Sequence, residues 1–188
     1  MRNIGVISDT HGLLRPSAMA ALCSSDLIIH AGDVGKPGVL EELRAVAPVI
    51  AVRGNIDKGP LARKLPERDV LELEGCRILI LHDLADIELD PREAGFQAVI
   101  FGHSHRPLIE TRDGVLHFNP GSAGPRRFRL PVTVGRLTIA GGEMTARIIE
   151  LGTLQQKPAS SPKRLSRAAA CAAGGVQNAA ARASREAR

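Results

Sequence analysis

Residues 3–7, 27–30 and 48–52 are short apolar runs separated by two amphipathic segments, 17–23 and 38–46, and this alternation constrains the fold more than any other feature of the chain. Each run has strand length, each intervening segment gathers its apolar residues on one helical face, and strands joined through helices lie parallel in one sheet. The predicted beginning is therefore βαβαβ. Further strands are expected at 70–73 and 77–82, joined by a turn at Glu74-Gly75, and at 98–101. After that the helical patterns stop. Residues 108–111, 115–119, 132–139 and 144–151 read as antiparallel strands turning at Asp113-Gly114 and Gly141-Gly142. The expectation is an α/β fold of two stacked sheets with helices outside.

Composition narrows the function classes. Four Phe and no Trp or Tyr leave few stacking surfaces for single-stranded nucleic acid, which argues against an RNA-recognition module. Cys23, Cys76 and Cys171 are odd in number, far apart and without CxxC spacing, so neither a disulfide framework nor a thiolate zinc site is indicated. No apolar run approaches the roughly 18 residues of a membrane span, and an Asp arrives too early for a signal peptide. A cytoplasmic protein with no membrane partner is expected. The net charge of +5 is unevenly placed, with −1 on residues 1–151 and +6 on residues 152–188. The first segment is expected to be the folded domain. The second, rich in Ala, Arg and Ser, is expected to be a disordered, solvated basic tail, or at most a weak, salt-sensitive contact for nucleic acid or a partner protein.

Polar residues cluster where the predicted strands end. The first strand runs into Ser8-Asp9-Thr10-His11-Gly12, the second into His30-Ala31-Gly32-Asp33, the third into Arg53-Gly54-Asn55-Ile56-Asp57. Later strands run into His82-Asp83 and into Gly102-His103-Ser104-His105. In parallel α/β sheets the loops beyond the carboxyl ends of strands meet in one crevice. Asp9 and Asp33 would repel each other there unless divalent cations held both ionised. Mixed imidazole and carboxylate donors without thiolate suit manganese, iron or zinc better than magnesium or calcium alone. His30 and His117 read as ordinary hydrogen-bonded histidines, and Asp57 as a residue that orients a neighbour or caps a turn.

Taken in order, Asp9-x-His11, Gly32-Asp33, Gly54-Asn55-x-Asp57, His82 and Gly102-His103-x-His105 resemble the motifs of the calcineurin-like metallophosphoesterases. More narrowly, SDTHG at 8–12, HAGD at 30–33, GNID at 54–57 and NPGS at 119–122 resemble the small bacterial and archaeal phosphodiesterases of that superfamily. The resemblance covers residues 1–151 and implies a four-layered αββα sandwich of two mixed sheets. It also implies a dinuclear site. Asp9, His11 and His105 would hold one metal, Asn55, His82 and His103 the other, and Asp33 would bridge them, with Asp33, Asn55 and His103 closest to the chemistry. The implied ions are two divalent metals, manganese first, with iron, zinc or nickel as alternatives. The implied reaction is direct in-line hydrolysis of a small phosphodiester by a metal-bridging hydroxide. Arg126 and Arg127 are candidates to receive the phosphate.

Two positions depart from the family pattern. Many members have His after the Gly-Asn pair, as donor of a proton to the leaving group, and here that position is Ile56. His82 is followed by Asp83, where the family usually has Gly. Some relatives, notably a eukaryotic retromer subunit, keep the fold as a protein-interaction scaffold. A non-catalytic scaffold is therefore the alternative to the enzyme.

Overall fold

The computed structural model describes residues 1–152, so the expectations for the basic tail lie outside the described residues apart from Gly152. The chain opens as β1 (Arg2–Ile7), α1 (Pro16–Leu22), β2 (Leu27–Ala31), α2 (Pro37–Arg44) and β3 (Val49–Val52). These strands pair in parallel, with Val6 opposite Ile29 and Ile29 opposite Ile50. The βαβαβ expectation is thus met. A third helix, α3 (Gly59–Lys64), leads to β4 (Arg68–Leu73), β5 (Cys76–Leu81), β6 (Ala98–Ile100), β7 (Leu108–Arg112), β8 (Val115–Asn119), β9 (Thr133–Ala140) and β10 (Glu143–Glu150). The α3 segment went unpredicted because six residues are fewer than two turns, too short to display a helical period. Each helix begins at or beside a proline, whose fixed φ and missing N–H suit a first turn.

Ten strands form two mixed sheets, ordered β10-β9-β1-β2-β3 and β4-β5-β6-β8-β7. Alternation along each strand sends side chains to two different cores. Ile4 and Val6 of β1 join Ile29, Val52, Ile78, Ile80, Ile100 and Phe118 between the sheets. Ile7 and Ile28 face the other way, onto Leu22 of α1 and Leu40 and Leu43 of α2. Helices therefore cover the outer face of the first sheet. The second sheet's outer face, with Leu79, Leu81, Val99 and Phe101, is covered more thinly, by the 3-10 turn Leu84–Asp86 and the segment reaching Ala94. Pro91, Gly95 and repeated aspartates in that connection leave no room for a regular helix. Among the described residues no helix is long and apolar enough to cross a membrane.

His30 is fully buried on β2, and the Thr10 hydroxyl lies 2.9 Å from its Nε2. Thr10 donates to the Val34 carbonyl at 3.0 Å, so it accepts from His30 Nε2–H, while Nδ1 has no partner. A neutral ring is thereby built in. Burial lowers the His30 pKa to about 4, against an ordinary 6.5. Between these values the unfolded chain binds a proton that the folded chain refuses, so stability falls as pH drops through that window. One such proton contributes a slope of about 1.4 kcal/mol per pH unit. His30→Gln, which retains a donor toward Thr10, is expected to flatten the loss of stability by about that slope, measured by urea unfolding of the metal-free protein between about pH 6.5 and pH 4.5. An unchanged slope would mean that His30 is protonated in the fold.

Candidate metal centre

The carboxyl ends of β1, β2, β3, β5 and β6 open on one edge of the stacked sheets, and short backbone bonds lock their loops together. Asp9 N–H donates to the Gly32 carbonyl at 3.0 Å, His11 N–H to Asp33 at 3.0 Å, and Gly102 N–H to His82 at 2.9 Å. To point inward from so tight a set of turns, Asp9, His11, Asp33, His103 and His105 all adopt left-handed backbone, with φ between +48° and +63°. Such geometry is uncommon outside glycine, and it gathers at this edge of the fold. Gly54 makes the crowding possible. A Cβ there would strike the Asp33 side chain and backbone nitrogen, with the carboxyl carbon 2.8 Å away.

Two donor groups result. In the first, Asp9 Oδ1 lies 3.1 Å and His11 Nε2 lies 3.3 Å from His105 Nε2, and the two imidazoles stack with centroids 5.1 Å apart. In the second, Asn55 Oδ1 lies 3.2 Å from His82 Nε2 and 3.3 Å from His103 Nδ1. Asp33 stands between them, its Oδ2 facing His11 Nε2 at 3.8 Å and its Oδ1 facing His82 Nε2 at 3.4 Å. All seven sequence-predicted donors are thus brought to one place. Their exposure is unequal. Asp9, Asp33, His82 and His105 are buried, whereas Asn55 and His103 form the open rim.

The buried donors are chemically able to hold a cation, and their contacts with one another leave capacity for it. Asp9 Oδ1 has no hydrogen-bond partner, because its 3.1 Å approach to His105 lacks hydrogen-bond geometry. An unpaired carboxylate oxygen in a dry site is costly, and a divalent ion completes it. His82 is set for the same purpose. Its Nδ1–H donates to the Ala31 carbonyl at 2.8 Å, which fixes the tautomer and leaves the Nε2 lone pair facing Asp33 and Asn55. Burial disfavours the charged forms of both His82 and Asp33, yet their mutual contact prevails. With the Ala31 carbonyl it raises the His82 pKa, and with the Ile56 amide it holds the Asp33 carboxyl below its ordinary value. His11 moves the other way, lowered by burial despite the two aspartates. Nitrogen and oxygen donors without sulfur fit manganese, iron, zinc or nickel.

A ring of supporting residues holds these donors. Asp57 accepts from the backbone N–H groups of Val34 at 3.1 Å, Gly35 at 2.7 Å and Gly54 at 2.9 Å, fastening the loop after β2 to the loop after β3. The 119–122 turn packs under the site, with Asn119 Nδ2 on the Gly102 carbonyl at 2.6 Å and Ser122 Oγ on the Asp9 carbonyl at 3.0 Å. Ser8 Oγ reaches Asp9 Oδ2 at 2.7 Å. Arg127 Nη2 lies 3.4 Å from His11 Nε2, and Arg126 borders a small crevice against His105. On the opposite flank, Arg53, Asn55, Arg68, His82 and His103 line a cleft of about 620 Å³. Sequence reasoning missed the part played by Asp83, which it met only as a departure from pattern. Its Oδ2 lies 3.4 Å from His103 Nε2 while its Oδ1 accepts from Ala85 N–H at 3.0 Å.

Known proteins resemble this chain over most of its described length. Residues 1–142 match the family described as calcineurin-like phosphoesterase superfamily domain. A probable metallophosphoesterase of Methanothermobacter thermautotrophicus is 35% identical over 161 residues, covering 79% of this chain and 92% of that protein. The phosphodiesterase YfcE of Escherichia coli is 32% identical over 162 residues, covering 73% and 88%. Among solved structures, one described as a novel archaeal phosphodiesterase superposes with a TM-score of 0.66 at 25% identity, covering 78% of this chain and 99% of that one.

The close approach at Gly54 yields a direct test. Gly54→Ala forces Asp33 away from its position, and overpacking of this kind costs about 1–3 kcal/mol. The expected result is a lower unfolding midpoint in urea together with weaker manganese binding in calorimetry. Unchanged metal affinity would show that Asp33 need not occupy this position.

Proposed function

The chain belongs to the calcineurin-like phosphoesterase superfamily, and we propose that within it this protein is a cytoplasmic, manganese-dependent phosphodiesterase with two metal ions. In this reading Asp9, His11 and His105 would hold one ion and Asn55, His82 and His103 the other, with Asp33 serving both. The observation that carries it is the stance of Asp33, whose two oxygens face histidines of two separate donor groups. When bound, the ions supply Lewis acidity, which lowers the pKa of a water molecule and neutralises charge at phosphorus.

The chain's own residues do the rest. Ser8 and Thr10, the hydroxyls nearest the carboxylates, are fully buried and already hydrogen-bonded, so neither is presented as a nucleophile. In this reading water is the attacking group, in line with the departing alcohol and without a phosphoenzyme. Arg127, beside His11 and exposed, is placed to steady a phosphoryl oxygen. The rim donors Asn55 and His103 meet the substrate first. A diester is supported by the 620 Å³ cleft beside the rim donors, which has room for an alcohol arm, while the largely exposed 125–130 loop borders the other side. The name of the Escherichia coli relative points the same way. The chemistry belongs to residues 1–151, and the basic segment that follows is an extension outside it. The convergence of seven donors supports the enzyme over a non-catalytic scaffold.

Hydrolysis of bis(p-nitrophenyl) phosphate by the manganese-loaded protein, abolished by chelation and restored by added manganese, is the expected result. Asp33→Asn is expected to lower kcat by at least about 100-fold, the scale on which loss of a preorganised electrostatic group acts. A protein that binds manganese yet leaves the diester intact would instead support the scaffold.

Ile56 adds a second test. It stands at the rim, 37% exposed, with its amide on Asp33 and no proton to give. A positioned general acid contributes about 10²–10⁴-fold, most for basic leaving groups. Nitrophenyl diesters are therefore expected to react much faster than alkyl diesters, with a steep dependence of rate on leaving-group pKa. A shallow dependence, measured where chemistry limits turnover, would reveal another acid.

A further inference from the structure

Phe128 is explained neither by the fold nor by the metal centre. Phe96, Phe101 and Phe118 are buried, at 7%, 5% and 0% exposure, whereas Phe128 is 95% exposed. Its backbone is equally unusual. Eight non-glycine residues have left-handed φ among the described residues. Five are candidate metal donors, Glu74 and Asp113 sit in hairpin turns with glycine following, and the eighth is Phe128 at +52°. It occupies the first central position of a turn closed by Leu130 N–H on the Arg127 carbonyl at 3.1 Å. Turns with positive φ at that position favour glycine, asparagine or aspartate. A bulky aromatic there costs stability and recovers none through burial, a pattern that points toward function.

The loop carrying Phe128 borders the metal centre. Arg127, the preceding residue, reaches to 3.4 Å from His11 Nε2, and Arg126 flanks the crevice against His105. The base of the loop is anchored by Arg15, whose Nη2 and Nε donate to the Gly124 carbonyl at 3.1 and 3.3 Å. An exposed ring between Arg127 and Arg129 in sequence, on a loop whose Arg127 reaches His11, suits a flat π-system attached close to a phosphate. Glycerol and sugar alcohols offer no such face, whereas a nucleobase does. With three phenylalanines buried and no Trp or Tyr, a strand of stacked bases would find no second platform.

Resting on the phosphodiesterase reading above, we propose that the alcohol arm on this flank is a nucleoside, so that the substrate class is a phosphodiester of a single nucleoside. In the reaction a water oxygen bonds to phosphorus as the ester P–O bond to the second alcohol breaks. That alcohol leaves with a proton from solvent, and the products are a nucleoside monophosphate and a free alcohol.

The test compares thymidine 5′-(p-nitrophenyl phosphate) with methyl p-nitrophenyl phosphate, which share a leaving group and differ only in the other arm. Stacking of one base changes binding by about 5- to 150-fold. The full-length, manganese-loaded protein is expected to favour the thymidine ester in kcat/KM by at least the lower figure. Phe128→Ala is expected to reduce the thymidine-to-methyl ratio correspondingly, and Phe128→Trp to retain it. Phe128→Gly separates a structural role from a binding role, since relief of the left-handed strain is expected to raise Tm while the ratio falls. A ratio that stays within about twofold in Phe128→Ala overturns the proposal, as does a loss shared equally by both esters. If the unsubstituted protein cleaves neither ester, the phosphodiesterase reading fails by itself. Saturation-transfer NMR with thymidine 5′-monophosphate then decides the platform: transfer to the base that disappears in Phe128→Ala upholds it, and absence of transfer to the unsubstituted protein overturns it.

Discussion

Two carboxylates, Asp9 and Asp33, are held almost entirely out of water at the ends of adjacent parallel strands, and much of the surrounding structure follows from keeping them there. Asp9 is fully buried with one oxygen unpartnered, a state that no apolar core tolerates without a compensating charge. Histidines from two other strand ends, those of β5 and β6, face the pair, and the left-handed turns that carry the donors let loops from two different sheets converge. A slip of one residue in register between β1 and β2 would reverse which side chains face the inter-sheet core and would carry Asp9 away from Asp33. Fold and site therefore share one constraint. The apolar alternation that packs Ile4 and Val6 between the sheets also fixes where the first carboxylate emerges.

The two halves of the site differ in a way that suits their work. Asp9 and His105 lie deep, and Asp9 is fixed from beneath by Ser8 and Ser122, so an ion there would be structural ballast as much as catalyst. Asn55 and His103 are on the rim, and His103 is further tied to Asp83. Because the Asp83 carboxylate also caps the 3-10 turn at Leu84–Asp86, the rim histidine and the wall of the adjoining cleft are fastened to the same side chain. A glycine at that position, as in the family pattern, could tie neither. The cleft wall and the second donor group are thus coupled in this chain by a residue that reads at first as a mere departure.

Much of this was legible before any coordinates. Strand and helix periodicity places the first three strands and two helices to within two residues, since short apolar runs alternate cleanly with amphipathic segments. The turns at Glu74-Gly75, Asp113-Gly114 and Gly141-Gly142 were legible through chemistry, because left-handed backbone favours these residues. Asp57 was read as a residue that orients or caps, and its three backbone contacts agree. What periodicity could not convey is proximity. The contact between Asp83 and His103 spans separate strand ends, α3 is too short to announce itself, and the thin cover over the second sheet depends on how Pro91 and Gly95 route the chain. The strain at Phe128 was equally silent, since a phenylalanine among arginines carries no turn signal at all.

That strain and the unequal depth of the donors lead to one view of how the site is approached. The deep half, with Asp9 and His105, offers no room for a substrate, so a phosphoester must enter across the rim where Asn55 and His103 are exposed. From there the surface divides. Toward His11 it meets a loop rich in arginine and capped by an exposed ring, and toward His82 it meets a cleft whose arginines are already engaged, Arg53 with Glu67 and Arg68 with Glu88. Positive charge is free to meet phosphate on the first side and is largely neutralised on the second. For the proposed substrate, the phosphate would thereby be drawn toward His11 and Arg127, and the cleft would accept a substituent of mixed polarity. The proposed diester would use both of these surfaces, where a monoester would use only one.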